Sequence, residues 1–279
     1  MPILNNLSCP IDLAPLHRNE RSLICPHGHT YDLAKSGYVN LLPVQNKRSK
    51  DPGDSKEMVA ARQAFLNQQH YFPIVETILS SWPEDNLRGD LRILDAGCGE
   101  GYYLNEIGRL FTAQGIVTDR VGLDISKWAV TAASKRDKDV SWLVASNARL
   151  PMPNERFDAV LCLFGFPVFA EFSRVLSENG LLLLVESGED HLIELRKILY
   201  PAIHEYKPTF ASELADFGLI SESSKRFFIT LDSQEKIQQL LSMTPHMHKA
   251  SYEGRESLKQ YDNLTLTADI KFRCYKKKH

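Results

Sequence analysis

Ile93-Leu94-Asp95-Ala96-Gly97-Cys98-Gly99-Glu100-Gly101 sets an acidic residue at the end of an apolar run and three glycines at alternate positions. Glycine takes positive φ and has no Cβ, so such a turn lets backbone approach a bound ligand closely. The spacing G-x-G-x-G differs from the G-x-G-x-x-G of dinucleotide sites, and the Lys-Ser/Thr pair of a phosphate loop is missing. A second apolar run, VGLDIS, ends in Asp124, where a carboxylate can accept both hydroxyls of a ribose. Asp95, Gly97, Gly99, Gly101 and Asp124 are therefore candidate ligand contacts. Near the N-terminus, Cys9-x-x-Asp12 and Cys25-x-x-x-His29 form two donor pairs on either side of a short β-like loop, close to the spacing of a structural zinc ribbon.

Chemistry of this kind needs a frame to hold it. From Leu91 onward, apolar runs alternate with helical segments: LRILDAG, VGLDI, SWLVA, FDAVLCLFG and GLLLLVES. That alternation predicts a parallel sheet wrapped by helices, with the glycine turn outside the carboxyl end of the first strand, where open α/β sheets bind ligands. Upstream, Ser22-Ile24 and Tyr38-Leu42 read as short strands, and Gln45 to Ser55 reads as a linker or binding loop. A helix is expected from Lys56 to about Asn67, and another begins near Pro73 and stops at Trp82-Pro83. Helices are also expected at His191–Leu199, Phe210–Phe217 and Ser233–Ser242, with strands at Arg226–Thr230 and Thr267–Tyr275. The domain expectation is a β module over 1–45, a basic linker and helix over 46–70, and the α/β domain over 71–279.

Composition narrows the class. The chain has 279 residues, 43% of them apolar, a length that buries a substantial core without disulfides. Its five cysteines are odd in number and widely spaced, which fits reduced thiols in the cytosol better than secretory bridges. The N-terminal segment does not read as a signal peptide, and the longest apolar runs of the chain, such as Leu181 to Val185, fall far short of the roughly 20 residues a bilayer span needs. The expectation is a cytoplasmic protein with no membrane role. A formal charge of −2 offers no global attraction for polyanions. It divides unevenly, however: residues 1–70 carry 8 basic and 6 acidic side chains, against 25 and 29 in the rest.

The D-x-G-C-G-x-G turn followed by an acidic second strand resembles the S-adenosylmethionine-dependent methyltransferases. ASNARLP at 145–151, FDAV at 157–160 and RVLSENGLLLLVE further on are similar to later strands and loops of that class. The fold class implied is α/β: a Rossmann-like class I methyltransferase sheet with helices on both faces, plus a small N-terminal zinc-ribbon-like β module. With SLICPHGHTYDLAKSGYVNLLPVQNKRSKDPGDSKEM added, the whole chain resembles the bacterial 23S ribosomal RNA guanine-N1 methyltransferases. That resemblance implies S-adenosyl-L-methionine as cofactor, a hairpin of 23S ribosomal RNA as partner, and a homodimer. It carries the family's cofactor contacts onto Tyr71, Gly99, Glu100 and His191, with Asp124 at the ribose. It carries the metal ligands onto Cys9, Cys25 and His29, with Asp12 where the family has cysteine. Aspartate ligates zinc through oxygen, so a site of two cysteines, one aspartate and one histidine is expected to be weaker than one with a third thiolate. His27 and His17 are further nitrogen donors close by in sequence.

The methyl acceptor is read from Phe164-Gly165-Phe166-Pro167. Enzymes acting on exocyclic adenine amines place Asn or Asp before two prolines here, and no such acceptor is present. A ring nitrogen or an oxygen fits better, and the two phenylalanines have two readings, stacking on an extruded base or packing at the sheet edge. Attack by guanine N1 requires loss of its proton, for which Glu186, Asp54 and His191 are nearby candidates without an assigned catalytic role. Lys47, Arg48 and Lys50, extended by Lys56 and Arg62, form a basic stretch suited to phosphates, or an ordinary solvated linker. Two rival functions stay open: a small-molecule methyltransferase with the N-terminal module as a lid, and a non-catalytic RNA-binding relative.

Overall fold

The computed structural model describes residues 7–43, 45, 51–87, 89–203 and 214–278. The N-terminal segment forms a three-stranded antiparallel sheet of β1 (His17–Asn19), β2 (Ser22–Ile24) and β3 (Thr30–Asp32). The next strand, β4 (Val39–Asn40), leaves this small sheet and pairs in parallel with a strand of the large one. Two helices follow, α1 (Lys56–Leu66) and α2 (Phe72–Ser80). Ser55 starts α1 by accepting a hydrogen bond from the Met58 N–H at 3.3 Å, and Pro73 occupies the first turn of α2, where its missing N–H costs nothing.

The α/β region runs β5 (Leu91–Ala96), α3 (Tyr102–Ala113), β6 (Thr118–Asp124), α4 (Lys127–Arg136), β7 (Ser141–Val144), β8 (Phe157–Leu163), α5 (Phe169–Val175), β9 (Leu176–Ser187) and α6 (Ile193–Leu199). It ends with β10 (Phe217–Leu231), α7 (Gln234–Ser242), α8 (His246–Lys249), α9 (Tyr252–Leu258) and β11 (Leu264–Lys277). The eight-stranded sheet has the order β10-β11-β9-β8-β5-β6-β7-β4. Strands β4 to β9 in it are parallel to their neighbours, whereas β11 enters between β9 and β10 antiparallel to both. The five runs expected to form a parallel sheet, β5 to β9, do so, and β11 and β10 extend it into a mixed sheet. Strand order reverses between β5 and β8, which creates a crevice at their carboxyl ends.

Both faces of this sheet are buried. Ile93, Leu181, Leu183 and Val185 point into one core with α2, α3 and α6, while Leu94, Leu182 and Leu184 point into the other. That second core also takes Leu7, Cys9, Leu16, Leu23 and Cys25, so the small β module packs on the sheet through apolar side chains. β10 runs from Phe217, longer than the Arg226–Thr230 expectation, because its polar SESSKR stretch lies exposed along the sheet edge. The helix expected over Phe210–Phe217 lies outside the described residues at 210–213, and Phe217 itself opens β10. Among the described residues, no helix is long and apolar enough to cross a membrane.

The glycine turn is packed tightly at its far end. Gly101 has φ +85°, and a Cβ there would lie 2.7 Å from Trp142 Cη2 and 3.0 Å from Ala133 Cβ. Trp142 is held by its own indole N–H bond to the Asp137 carbonyl at 2.8 Å, so it cannot easily give way. Gly101→Ala is therefore expected to cost about 2–4 kcal/mol, from overpacking combined with left-handed backbone strain. An unfolding free energy from urea titration unchanged to within about 0.5 kcal/mol would contradict this packing.

Candidate functional site

The glycine turn is bonded to the end of the neighbouring strand. The Gly97 and Cys98 N–H groups both donate to the Leu123 carbonyl at 2.9 Å, and the Gly99 N–H donates to Asp124 Oδ2 at 3.0 Å. Asp124 Oδ1 accepts the Ser126 N–H at 2.8 Å, which fixes the carboxylate at the start of α4. Gly97, Gly99 and Gly101 all have positive φ, the conformation that favours glycine. The structure thus brings Asp95, Gly97, Gly99, Glu100, Gly101 and Asp124 together at the carboxyl edge of β5 and β6.

This corner is rich in buried carboxylates. Asp95 is 1% exposed, and burial, aided by the neighbouring Asp124 charge, raises its pKa to about 8. Burial also raises Asp124, against the pull of its two backbone N–H partners. Glu100, equally buried, accepts from Arg136 Nε at 2.9 Å and Nη2 at 2.5 Å, yet burial still leaves its pKa raised. Eight buried side-chain polar atoms have no partner among the described residues, and four of them belong here: Asp95 Oδ1, Glu100 Oε1, Asn147 Oδ1 and His191 Nδ1. Such atoms cost free energy unless a ligand or water satisfies them. Three of the four are acceptors, which suits a ligand rich in donors.

Tyr71 and His191 meet on another side of the site, with Tyr71 Oη 3.3 Å from His191 Nε2. Burial pulls His191 down to about 4, so its ring is neutral near pH 7, and burial pushes the Tyr71 phenol up. Phe164, at φ +54°, lies roughly parallel to both rings at 6.4 and 6.3 Å between centroids. It is 39% exposed and Phe166 is 88% exposed, so neither serves as core packing at the sheet edge. Asn147 was not singled out by sequence, although it lies within the ASNARLP stretch. Its Nδ2 donates to the Ala96 and Phe166 carbonyls at 3.4 and 3.2 Å, tying the β5 turn to the loop after β8. Of the nearby proton-acceptor candidates, Glu186 is paired with Arg273 and Asp54 with Arg62. Lys47, Arg48 and Lys50 lie outside the described residues, and Arg62 turns inward instead of continuing a basic surface.

Cys9, Asp12, Cys25 and His29 converge, each offering one donor atom within 4.8 Å of the others. His29 Nδ1 lies 3.5 Å from Cys9 Sγ, 3.3 Å from Cys25 Sγ and 3.0 Å from Asp12 Oδ2, and Cys25 Sγ lies 3.5 Å from Asp12 Oδ2. Tetrahedral zinc with ordinary bond lengths would set sulfur–nitrogen and sulfur–oxygen edges at about 3.5 Å and a nitrogen–oxygen edge at about 3.3 Å. The four residues therefore fit a closed zinc site. His27 binds Asp12 Oδ2 through Nδ1 at 2.8 Å and so acts as a partner of the aspartate. Cys9 Sγ also lies 3.1 Å from the Tyr31 hydroxyl.

An open doubly wound sheet with a glycine turn at its reversal point and an acid ending the next strand defines a Rossmann-like methyltransferase. A family model described as "Methyltransferase domain" matches residues 93–180, and one of zinc-ribbon type, described as "RlmA, N-terminal", matches residues 7–50. The chain is 35% identical over 271 residues to a Bacillus subtilis protein named "Putative 23S rRNA (guanine-N(1)-)-methyltransferase YxjB", covering 94% of each. It is 32% identical over 249 residues to the "23S rRNA (guanine(748)-N(1))-methyltransferase" of Streptomyces fradiae, covering 87% of this chain and 86% of that one. The chain belongs to the 23S rRNA (guanine-N1)-methyltransferase family.

If the four-donor cluster holds zinc, protein isolated without added metal should carry about one zinc per chain. Asp12→Cys should then keep its metal longer against a chelator, since thiolate is the softer ligand. Absence of stoichiometric zinc from both proteins, by elemental analysis, would exclude this ligand set.

Proposed function

We propose that this chain transfers a methyl group from S-adenosyl-L-methionine to N1 of a guanine in a hairpin loop of 23S ribosomal RNA. Family membership over nearly the whole chain supports the reaction class and the RNA substrate. The observation that carries the cofactor reading is the set of orphaned acceptors around the glycine turn. The cofactor, when bound, supplies an electrophilic methyl group on a sulfonium centre. Its other polar groups include an ammonium, two ribose hydroxyls and an adenine amine, all of them donors.

Each has a counterpart in this chain. Asp95 Oδ1 faces the ammonium, Asp124 takes the ribose through its remaining lone pairs, and Asn147 Oδ1 accepts from the adenine amine. Gly97, Gly99 and Gly101 keep side chains out of the tail's path, while Glu100 ties the turn to Arg136. Tyr71 and His191 close the far side as a neutral aromatic wall, which excludes water and sets the direction of the in-line displacement. The exposed rings of Phe164 and Phe166 offer stacking faces for an unpaired loop base. Cys9, Asp12, Cys25 and His29 hold a structural zinc that cross-links the small β module, and the enzyme acts as a homodimer whose mass sedimentation equilibrium would read.

Methyl at guanine N1 blocks Watson–Crick pairing, so incubation with cofactor and 23S ribosomal RNA should produce a reverse-transcriptase stop at a single hairpin guanine. Transfer of label only to small metabolites would reject the RNA reading. A second expectation follows from Asp95, which holds its proton below pH 8 in the free protein. An ammonium brought beside it favours the carboxylate, so cofactor binding at pH 7 should release close to one proton. Calorimetry in buffers of different ionisation heat measures this directly, and identical heats in all buffers would remove Asp95 from the ammonium site.

A further inference from the structure

The methionyl tail of the proposed cofactor ends in a carboxylate as well as an ammonium, and the corner that receives it is crowded with acids. Asp54, Asp95, Glu100 and Asp124 all border the glycine turn, so a second carboxylate enters against their field unless a cation meets it. Among the described residues, two arginines reach this place. Arg136 is committed to Glu100, and its Nη2 also donates to Asn67 Oδ1 at 2.9 Å. Arg62 comes from α1, and a Cβ built on Gly99 would lie 3.6 Å from its Nη1, so the guanidinium hangs directly over the middle glycine. Its charge is felt by Glu100, Tyr103 and Asp124.

Arg62 is also pre-aimed. Its Nη2 donates to the Met243 carbonyl at 3.1 Å, which fixes the guanidinium plane, and its Nη1 pairs with Asp54. Apart from Arg62, what holds Asp54 among the described residues is backbone: its carbonyl accepts from Ser126 Oγ at 2.8 Å, and Gly53 beside it, at φ +82°, packs where a Cβ would meet Ile125 Cγ2 and Ser126 Cβ at 2.9 Å. The Asp54 carboxylate can therefore leave Arg62 by side-chain rotation while the loop stays in place. Asp54 stands in for a ligand carboxylate in the free protein.

We propose that Arg62 binds the carboxylate of the cofactor's amino-acid tail, and that this carboxylate displaces Asp54 from it. The assignment rests on the cofactor reading above and gives α1 a role in recognising the tail. The exchange leaves the Asp54 carboxylate unpaired beside the cofactor only when the tail is seated.

The test compares two ligands by calorimetry: S-adenosylhomocysteine, which has the amino-acid tail, and 5′-methylthioadenosine, which lacks it. Arg62→Gln should weaken S-adenosylhomocysteine about tenfold to hundredfold, as loss of a charge-assisted pair does, and leave methylthioadenosine unchanged. Arg62→Lys should fall between, because ammonium keeps the charge but not the planar fork. Asp54→Asn, which removes the competitor, should tighten S-adenosylhomocysteine about threefold or more without moving methylthioadenosine. Retained methylthioadenosine binding also reports that each variant is folded. Arg62→Gln weakening both ligands equally, or neither, would overturn the assignment, and weaker S-adenosylhomocysteine binding by Asp54→Asn would overturn the exchange. A wild-type protein that bound neither ligand would instead refute the cofactor reading, and this assignment with it.

Discussion

The structure depends on the bond between the Gly99 N–H and Asp124 Oδ2, because it draws the turn after β5 against the end of β6. With the two N–H groups that converge on the Leu123 carbonyl, it fixes a backbone path that places three successive glycines at positive φ. The start of α3 follows from that path, since Gly101 in the left-handed region is the residue before its first turn. So does the concentration of charge. Asp95, Glu100 and Asp124 are brought close together only because the turn and the second strand are bonded at their tips.

Burying like charges together is costly, and the fold offsets the cost unevenly. Glu100 has Arg136, and Asp124 has two backbone N–H groups. Asp95 has neither, and its raised pKa shows the consequence: it stays protonated where an ordinary aspartate would ionise. Farther from the turn, Arg92–Asp158, Arg156–Asp119 and Arg120–Asp137 pair and brace strand ends and helix ends. Asp95 Oδ1, Glu100 Oε1 and Asn147 Oδ1, by contrast, gather at the crevice with no partner among the described residues. A domain that satisfies its surface acids but leaves a buried one without a partner at the sheet's reversal point is organised to receive a donor there.

Much of this was legible in the chain. Strands buried on both faces announce themselves as apolar runs, so β5 to β9 were readable, and the glycine spacing located the turn. Pro73 marked a helix start by local chemistry. What stayed hidden has physical reasons. β10 carries SESSKR on an exposed sheet edge, so neither burial nor alternation betrays its length. β4 is two residues long, and its pairing with β7 depends on the whole sheet. Arg62 looked like one more cation in a basic stretch, because its inward turn is decided by Met243, 181 positions away in sequence. Asn147 sat inside a recognised segment, but its importance lies in which of its two side-chain atoms is already bonded, and only the folded chain shows that.

The small β module shares a core with the large domain. It is joined to the large domain by more than a tether: the Ser8 N–H donates to the Pro151 carbonyl at 2.9 Å, the Leu41 N–H to the Val144 carbonyl at 2.9 Å, and Ser134 Oγ meets Ser36 Oγ at 2.8 Å. Leu16 and Leu23 sit in the same apolar cluster as Leu123 and Leu143, the strands that end beside the glycine turn. An apolar contact of this kind resists hinge motion, because separating the two parts would expose side chains that are fully buried. Module and crevice therefore keep a fixed spacing. Cys9 and Cys25 belong to that same core, so the four-donor cluster is built into the packing that joins the module to the sheet.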